Sequence, residues 1–188
     1  MSKCLYHHFK CRICDKKDFC TVGRTMIDSS ILLSMLKHEK NCDVCEDKFN
    51  QVLKEGRGFI THLSLSEVYG GTIEFIYEEI EKRGLNEFNI EELSKPHKEK
   101  LVLEIINELK NILNKLHVSE IDKIALEYAK KLFNLPRIDM GDRDKIILGT
   151  AESHAHQKFL FSDKGIKSAE KSIREIGFRI ELDHLNLT

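Results

Sequence analysis

From residue 24 onward the apolar residues fall into short blocks whose spacing alternates between strand and helix periods. Arg24-Thr-Met-Ile-Asp28 is a short β-like run that ends in an acid, and the segment Ile31 to Leu36 has helical character. Phe49, Val52 and Leu53 suit a second helix, after which Gly56 and Gly58 punctuate the chain. Phe59-Ile-Thr-His-Leu63 reads as a strand. Ser64-Leu-Ser-Glu67 has the spacing of a capping box, and it opens a helix that carries Val68, Ile73, Ile76 and Ile80 to about Arg83. Residues 84–115 are rich in charge and contain Pro96, with Leu101, Ile105, Leu109 and Ile112 at helical spacing. Leu116-His-Val118 predicts a short strand, and Ser119 predicts the cap of a helix bearing Ile121, Ile124, Ala125, Tyr128 and Leu132. Ile147, Leu148, Ala151 and Ala155 share one face of the next helix. Lys158 to Asp163 is a strand ending in an acid; a helix over roughly 165–176 and a last strand over Phe178–Leu182 complete the series. Such alternation predicts an α/β fold with a mostly parallel sheet and helices on both faces.

The length of 188 residues suits one domain with an insertion or a small appendage. Composition changes the picture little, since 41% hydrophobic and 32% charged residues are ordinary for a globular protein. Thirty basic residues against thirty-one acidic ones give a formal charge of −1, so any nucleic-acid surface has to be local. No apolar run approaches the length of a membrane span, and the N-terminal stretch lacks the apolar core of a secretory signal. A cytoplasmic protein with no membrane partner is therefore the expectation. Residues 1–23 are Cys- and His-rich without lasting periodicity, which sets them apart from 24–188; the charged helical insertion lies at about 84–115.

Acids stand at informative places. Asp28 and Asp163 end predicted strands, while Glu67 and Asp144 lie near helix starts. In an open α/β sheet the carboxyl ends of strands and the adjoining helix N-termini share one edge, where ligands bind. Carboxylates crowded there raise one another's pKa unless a cation intervenes, and oxygen ligands favour Mg2+ or Mn2+. Any single Asp at a strand end is more often a turn former or helix cap than a ligand, and Glu67 is fully explained as the capping partner of Ser64.

Four segments in order resemble the motifs of the PIN domain family. Met26-Ile-Asp28-Ser-Ser-Ile-Leu32 looks like its opening motif, Leu63-Ser-Leu-Ser-Glu67-Val like its second, Asp144-Lys-Ile-Ile-Leu-Gly-Thr-Ala151 like its third and Phe159-Leu-Phe-Ser-Asp163-Lys like its fourth. The resemblance spans about residues 24 to 182. It implies a three-layer α/β/α fold, to which residues 1–23 add a small Cys-rich N-terminal segment. It also implies a ribonuclease, toxin-like or RNA-processing, that hydrolyses single-stranded RNA with Mg2+ or Mn2+. On that carry-over Asp28, Asp144 and Asp163 hold metal, Glu67 completes the cage directly or through water, and Asp142 is an auxiliary ligand. Ser29, Ser30 and Ser162 would serve a ligand water or a phosphate oxygen. A protein partner such as an antitoxin, and a homodimer, are family-level expectations. Phe161 stands where many members place a Thr, and the 84–115 insertion is longer than in the small toxin members.

Six cysteines, Cys4, Cys11, Cys14, Cys20, Cys42 and Cys45, all fall in the first quarter of the chain. In a reducing compartment they read as metal ligands before disulfides. Cys11-Arg-Ile-Cys14 and Cys42-Asp-Val-Cys45 are CxxC half-sites that combine into one zinc site, or Cys4, Cys11, Cys14 and Cys20 close a local one with His7 or His8 as substitutes. The second arrangement also resembles the ligand spacing of some iron–sulfur sites in nucleases. Lys164, Lys167, Lys171 and Arg174 form a helical stripe beside Asp163 that suits RNA backbone or, with Glu170 and Glu175 between them, a solvated face. His62, His154 and His156 are expected at the surface or behind the ligands, and the charges of 78–110 on an exposed helical hairpin or interaction face. The leading alternative to a nuclease is a non-catalytic RNA- or protein-binding module of the same fold; a metal-dependent phosphatase or DNA nuclease is a third class.

Overall fold

Gly23–Ile27 (β1), Gly56–Thr61 (β2), His117–Ser119 (β3), Lys158–Phe161 (β4) and Glu181–His184 (β5) form one sheet in the order β3-β2-β1-β4-β5, every neighbouring pair parallel. The structure is a computed structural model that describes residues 23–85, 91–136 and 138–186. The Cys/His-rich segment, with Cys4, Cys11, Cys14 and Cys20, lies outside the described residues.

Successive side chains of a strand point to opposite faces, and here both faces are covered. Met26 enters one core together with Phe159 and Phe161; its neighbour Ile27 enters the other with Ile60 and Leu160. Ser29–Leu36 (α1), Cys42–Glu55 (α2), His62–Lys82 (α3) and Glu91–Leu113 (α4) bury their apolar stripes on the Ile27 side. Lys123–Phe133 (α5), Asp142–Ser153 (α6), Lys164–Ser168 (α7) and Glu170–Glu175 (α8) do so on the Met26 side. The result is the expected α/β/α sandwich.

Several local expectations give way to tertiary context. The cap of α3 is Thr61, the last residue of β2, whose Oγ1 accepts from the Ser64 backbone N–H at 3.1 Å. The helix therefore starts ahead of Ser64, and Glu67 is no capping partner. Ser119 ends β3 buried, and Asp122 caps α5 instead, accepting from Ala125 N at 2.7 Å. The stretch 165–176 is two short helices that meet at Ala169. Residues 179–180 are not yet strand, because the Glu152 carboxylate takes the backbone N–H groups of Arg179 and Ile180; β5 starts at Glu181. Within the 84–115 stretch α4 is docked rather than wholly exposed: it packs on α1 and α3 and buries Leu101, Ile105, Leu109 and Ile112.

Among the described residues helices α5 and α6 share the most extensive helix–helix contact, and Gly149 lies within it. A Cβ there would lie 2.6 Å from Ala129 N and 2.8 Å from Ala125 O, both backbone atoms. Among the described residues no helix is long and apolar enough to cross a membrane.

His156 is in the core rather than at the surface. Only 3% of it is exposed, its Nε2 lies 3.1 Å from Ser119 Oγ, and its ring meets Phe59 edge-on at 4.7 Å. Burial, then the charges of Arg24 and His154, hold its pKa well below the ordinary 6.5. The folded chain thus keeps this imidazole neutral while the unfolded chain protonates it below about pH 6.5. Stability is full above that pH and falls as pH drops toward the folded pKa. Urea midpoints at pH 5 and 7.5 should show a smaller acid loss for His156→Leu than for wild type, the difference approaching about 1.4 kcal/mol per pH unit at most. Equal losses would mean that another group sets the acid limb.

Candidate active site

The chain leaves β1 for β2 and β3 on one side and returns to β4 and β5 on the other, so the strand order reverses beside β1. Ligands of open α/β sheets sit in the crevice at such a reversal, beyond the carboxyl ends of the strands. Asp28 directly follows β1, Asp163 is separated from β4 by Ser162 alone, Asp144 is in the first turn of α6, and Glu67 lies just past the first turn of α3.

Asp28 and Asp163 are both helix caps and members of this cluster, so the two readings of a strand-end acid coexist. Asp28 Oδ2 accepts from the Ser30 hydroxyl at 2.6 Å and from its N–H at 3.3 Å. Asp163 Oδ1 accepts from Ile166 N at 2.9 Å. Gly165 allows the turn after Asp163 to nestle on the loop before α6, since a Cβ there would overlap the Asp139 carbonyl. Glu67 is fixed from two sides: Ser29 Oγ donates to Oε2 at 2.7 Å and Arg143 Nη1 to Oε1 at 3.3 Å. The hydroxyls of Ser29 and Ser30 are therefore occupied in aiming acids.

Electrostatics show that the four acids share one neighbourhood. The Asp144 carboxyl is pushed up to about 6, first by burial and then by the charges of Asp28, Asp163 and Glu67. Burial raises Asp28 as well, against the Ser30 hydrogen bonds that lower it, with Glu67 adding a smaller upward push. Residues 28, 67 and 163 are far from Asp144 in sequence, yet Asp144 feels the charge of all three.

A profile of the PIN domain family matches residues 25–172. The chain belongs to the PIN domain family. A solved chain from "VapBC2 from Rickettsia felis bound to a DNA fragment from their promoter" shares the fold at 15% identity with a TM-score of 0.53, over 87% of this chain and 99% of that one. No curated protein matches. PIN domains are in general nucleases and typically use Mg2+ or Mn2+.

The donor set of this PIN domain fits such an ion. It is made of carboxylate oxygens, the ligands hard divalent cations prefer, and its mutual repulsion is what a cation relieves. Asp28 accepts from Ser30 at Oδ2 and from the Ser29 backbone as well, while the described hydrogen bond of Asp163 falls on Oδ1. Among the described residues no three His, Cys, Asp or Glu groups stand preassembled as a metal cage.

The remaining candidates sort by what they touch. Asp142 has a side chain 79% exposed and pairs with Lys145 at 3.1 Å, so it is engaged outside the cluster. Lys167 pairs with Glu170 at 2.7 Å, and Arg174 donates to the Ile180 carbonyl as a brace between α8 and the start of β5. Lys164 and Lys171 are exposed. Ser162 is half-buried, and its carbonyl accepts from His184 Nε2 at 3.2 Å. Cys42 and Cys45 lie in the first turn of α2; Cys45 is wholly buried against that core, and burial pushes its thiol pKa up. Arg143 is the residue of the site that the sequence reading passed over. Its signal was its place between Asp142 and Asp144, a cation inside an acidic run.

Proposed function

We propose that this PIN domain is an Mg2+- or Mn2+-dependent endoribonuclease that hydrolyses single-stranded RNA. The observation that carries the reading is the convergence of Asp28, Glu67, Asp144 and Asp163 at the sheet's reversal point, where burial first and then the charges of the other three acids push the Asp144 carboxyl up to about 6. Structural ion pairs perturb carboxylates too, but three further acids with one arginine among them leave a net negative site that a cation complements.

Asp28, Asp144 and Asp163 would hold the metal, with Glu67 beside them. A bound divalent cation supplies Lewis-acid chemistry there, acidifying water and offsetting charge on the phosphate. The chain's own part is orientation. Ser30 and the β1–α1 junction fix Asp28, the Ile166 N–H fixes Asp163, and Ser29 with Arg143 fixes Glu67. Acids held this way lose little rotamer freedom on binding, which is what a preorganised site requires. A protein partner or second copy is proposed on the family likeness alone, and light scattering of the purified chain tests the second copy.

The assay is end-labelled single-stranded RNA incubated with the full chain in Mn2+, Mg2+ or EDTA, beside single-stranded DNA and Asp28→Asn. Cleavage of RNA that needs the metal and disappears in Asp28→Asn is expected. RNA left intact in both metals overturns the reading in favour of a binding module, and preferred cleavage of DNA reassigns the substrate.

A further inference from the structure

Four carboxyl groups by themselves make a poor landing place for a polyanion. Arg143 stands where that problem is solved. It lies in the first turn of α6 between Asp142 and Asp144, and its Nη1 is 3.3 Å from Glu67 Oε1. Its side chain is 67% exposed, against 21% for Glu67. An ion pair that open contributes only about 0–1 kcal/mol to folding, so stability alone gives little reason for it.

We propose that Arg143 is a substrate-binding residue of this site: its guanidinium, tethered at the rim of the acids by Glu67, contacts a non-bridging phosphate oxygen of single-stranded RNA. The inference rests on the nuclease reading above. A guanidinium offers a rigid fork of donors matched to phosphate, and Glu67 occupies one nitrogen of it. Three of the neighbouring cations are engaged elsewhere, while Lys164 and Lys171 are exposed without contact to an acid of the site among the described ion pairs. Lys145 pairs with Asp142 and lies over the Phe133 ring at 4.9 Å, Lys167 pairs with Glu170, and Arg174 is tied to the Ile180 carbonyl. Among the described ion pairs, Arg143 is the cation that meets one of the four acids.

This placement has a double consequence. A fixed positive charge beside the acids attracts RNA and repels a divalent metal, so its removal should move the two affinities in opposite directions. Loss of a merely structural residue would weaken both.

The test uses the full chain in two arms. Single-stranded RNA binding is measured across a salt series in an Asp28→Asn background, which keeps the RNA intact, with and without Arg143→Gln. Mn2+ binding is measured by calorimetry with Asp28 present, for wild type, Arg143→Gln and Arg143→Lys. Arg143→Gln should weaken RNA binding about tenfold and flatten the salt slope by about 0.7, the share of one phosphate contact on a single strand. It should tighten Mn2+ by a few-fold. Arg143→Lys should restore the salt slope, since the charge returns, and recover only part of the affinity, since the fork does not. An unchanged salt slope, or RNA and Mn2+ weakening together, overturns the proposal while leaving a nuclease that cleaves in place. Wild type that neither binds nor cleaves RNA overturns the nuclease reading and this inference with it.

Discussion

Asp144→Asn should lower kcat/KM for RNA by roughly 10²–10³-fold or more and, in the same protein, raise the melting temperature of the metal-free chain. The two effects share one cause. Burial and the charges of Asp28, Asp163 and Glu67 hold the Asp144 carboxyl at about 6 against an ordinary 3.8. The folded chain therefore binds more protons than the unfolded chain between those values, and stability declines as pH rises through that window. At pH 7.5 the whole cost is in force; below about pH 3.8 it vanishes because both states are protonated. A shift of this size corresponds to about 3 kcal/mol at most, and solvent screening of a half-buried group reduces it to roughly 1–2 kcal/mol. For a chain of this length that is about 2–8 °C in Tm. Scanning calorimetry in EDTA should show the gain at pH 7.5 and lose it near pH 4. Added Mn2+ should stabilise wild type and do much less for Asp144→Asn, because the substitution removes the repulsion that the ion relieves. A variant that is inactive and also less stable in EDTA at pH 7.5 would make Asp144 a structural acid.

Much of the fold was legible because local and global preferences agree. β1 and β4 are short apolar runs that end near an acid, and the alternation of Met26 with Ile27 and of Phe159 with Leu160 is what a sheet buried on both faces requires. The periodic positions 101, 105, 109 and 112 are the buried stripe of α4; their charged surroundings suggested exposure, but one apolar face suffices to dock a helix. The misreadings occur where a hydroxyl or carboxylate chose a partner distant in sequence or an alternative cap. Ser64 looked like the cap of α3, yet Thr61 does that work, which releases Glu67 to meet Ser29 and Arg143. Ser119 looked like a cap and pairs with His156 instead, 37 residues along the chain. Glu152 takes two strand-like N–H groups from residues 179 and 180, a contact no periodicity encodes. In the site, Asp28 and Asp163 were readable from strand ends, whereas Arg143 was not, because its meaning depends on α3 and α6 meeting at the same edge.

The packing behind α6 should matter as much as a ligand, because Gly149 lies on the same helix as Asp144, on the side that meets α5. Gly149→Val should destabilise the chain by on the order of 3 kcal/mol and, in the protein that still folds, depress RNA hydrolysis more than its Tm would suggest. At 2.6 Å from Ala129 N and 2.8 Å from Ala125 O, even a methyl group at residue 149 overlaps the backbone of α5, and a backbone cannot rotate out of the way as a side chain does. The helices must part. Ile147, Leu148 and Ala151 on α6 are fully buried and pack with Met26 and Phe159, so α6 has nowhere to retreat without loosening the core of that face. Whatever shift results is carried along a rigid helix to its first turn, where Asp144 and Arg143 sit. A displacement of about 1 Å at reacting groups can cost a hundredfold in rate. Gly149→Ala sets a graded comparison, with one carbon to accommodate in place of three. Urea denaturation should order the chains as wild type, Ala, then Val, and activity measured well below each midpoint should fall in the same order. Stability that falls while folded-state activity stays at the wild-type level would show that α6 keeps its N-terminal turn in register by bending beyond Gly149, and that the acid site is buffered from the packing behind it.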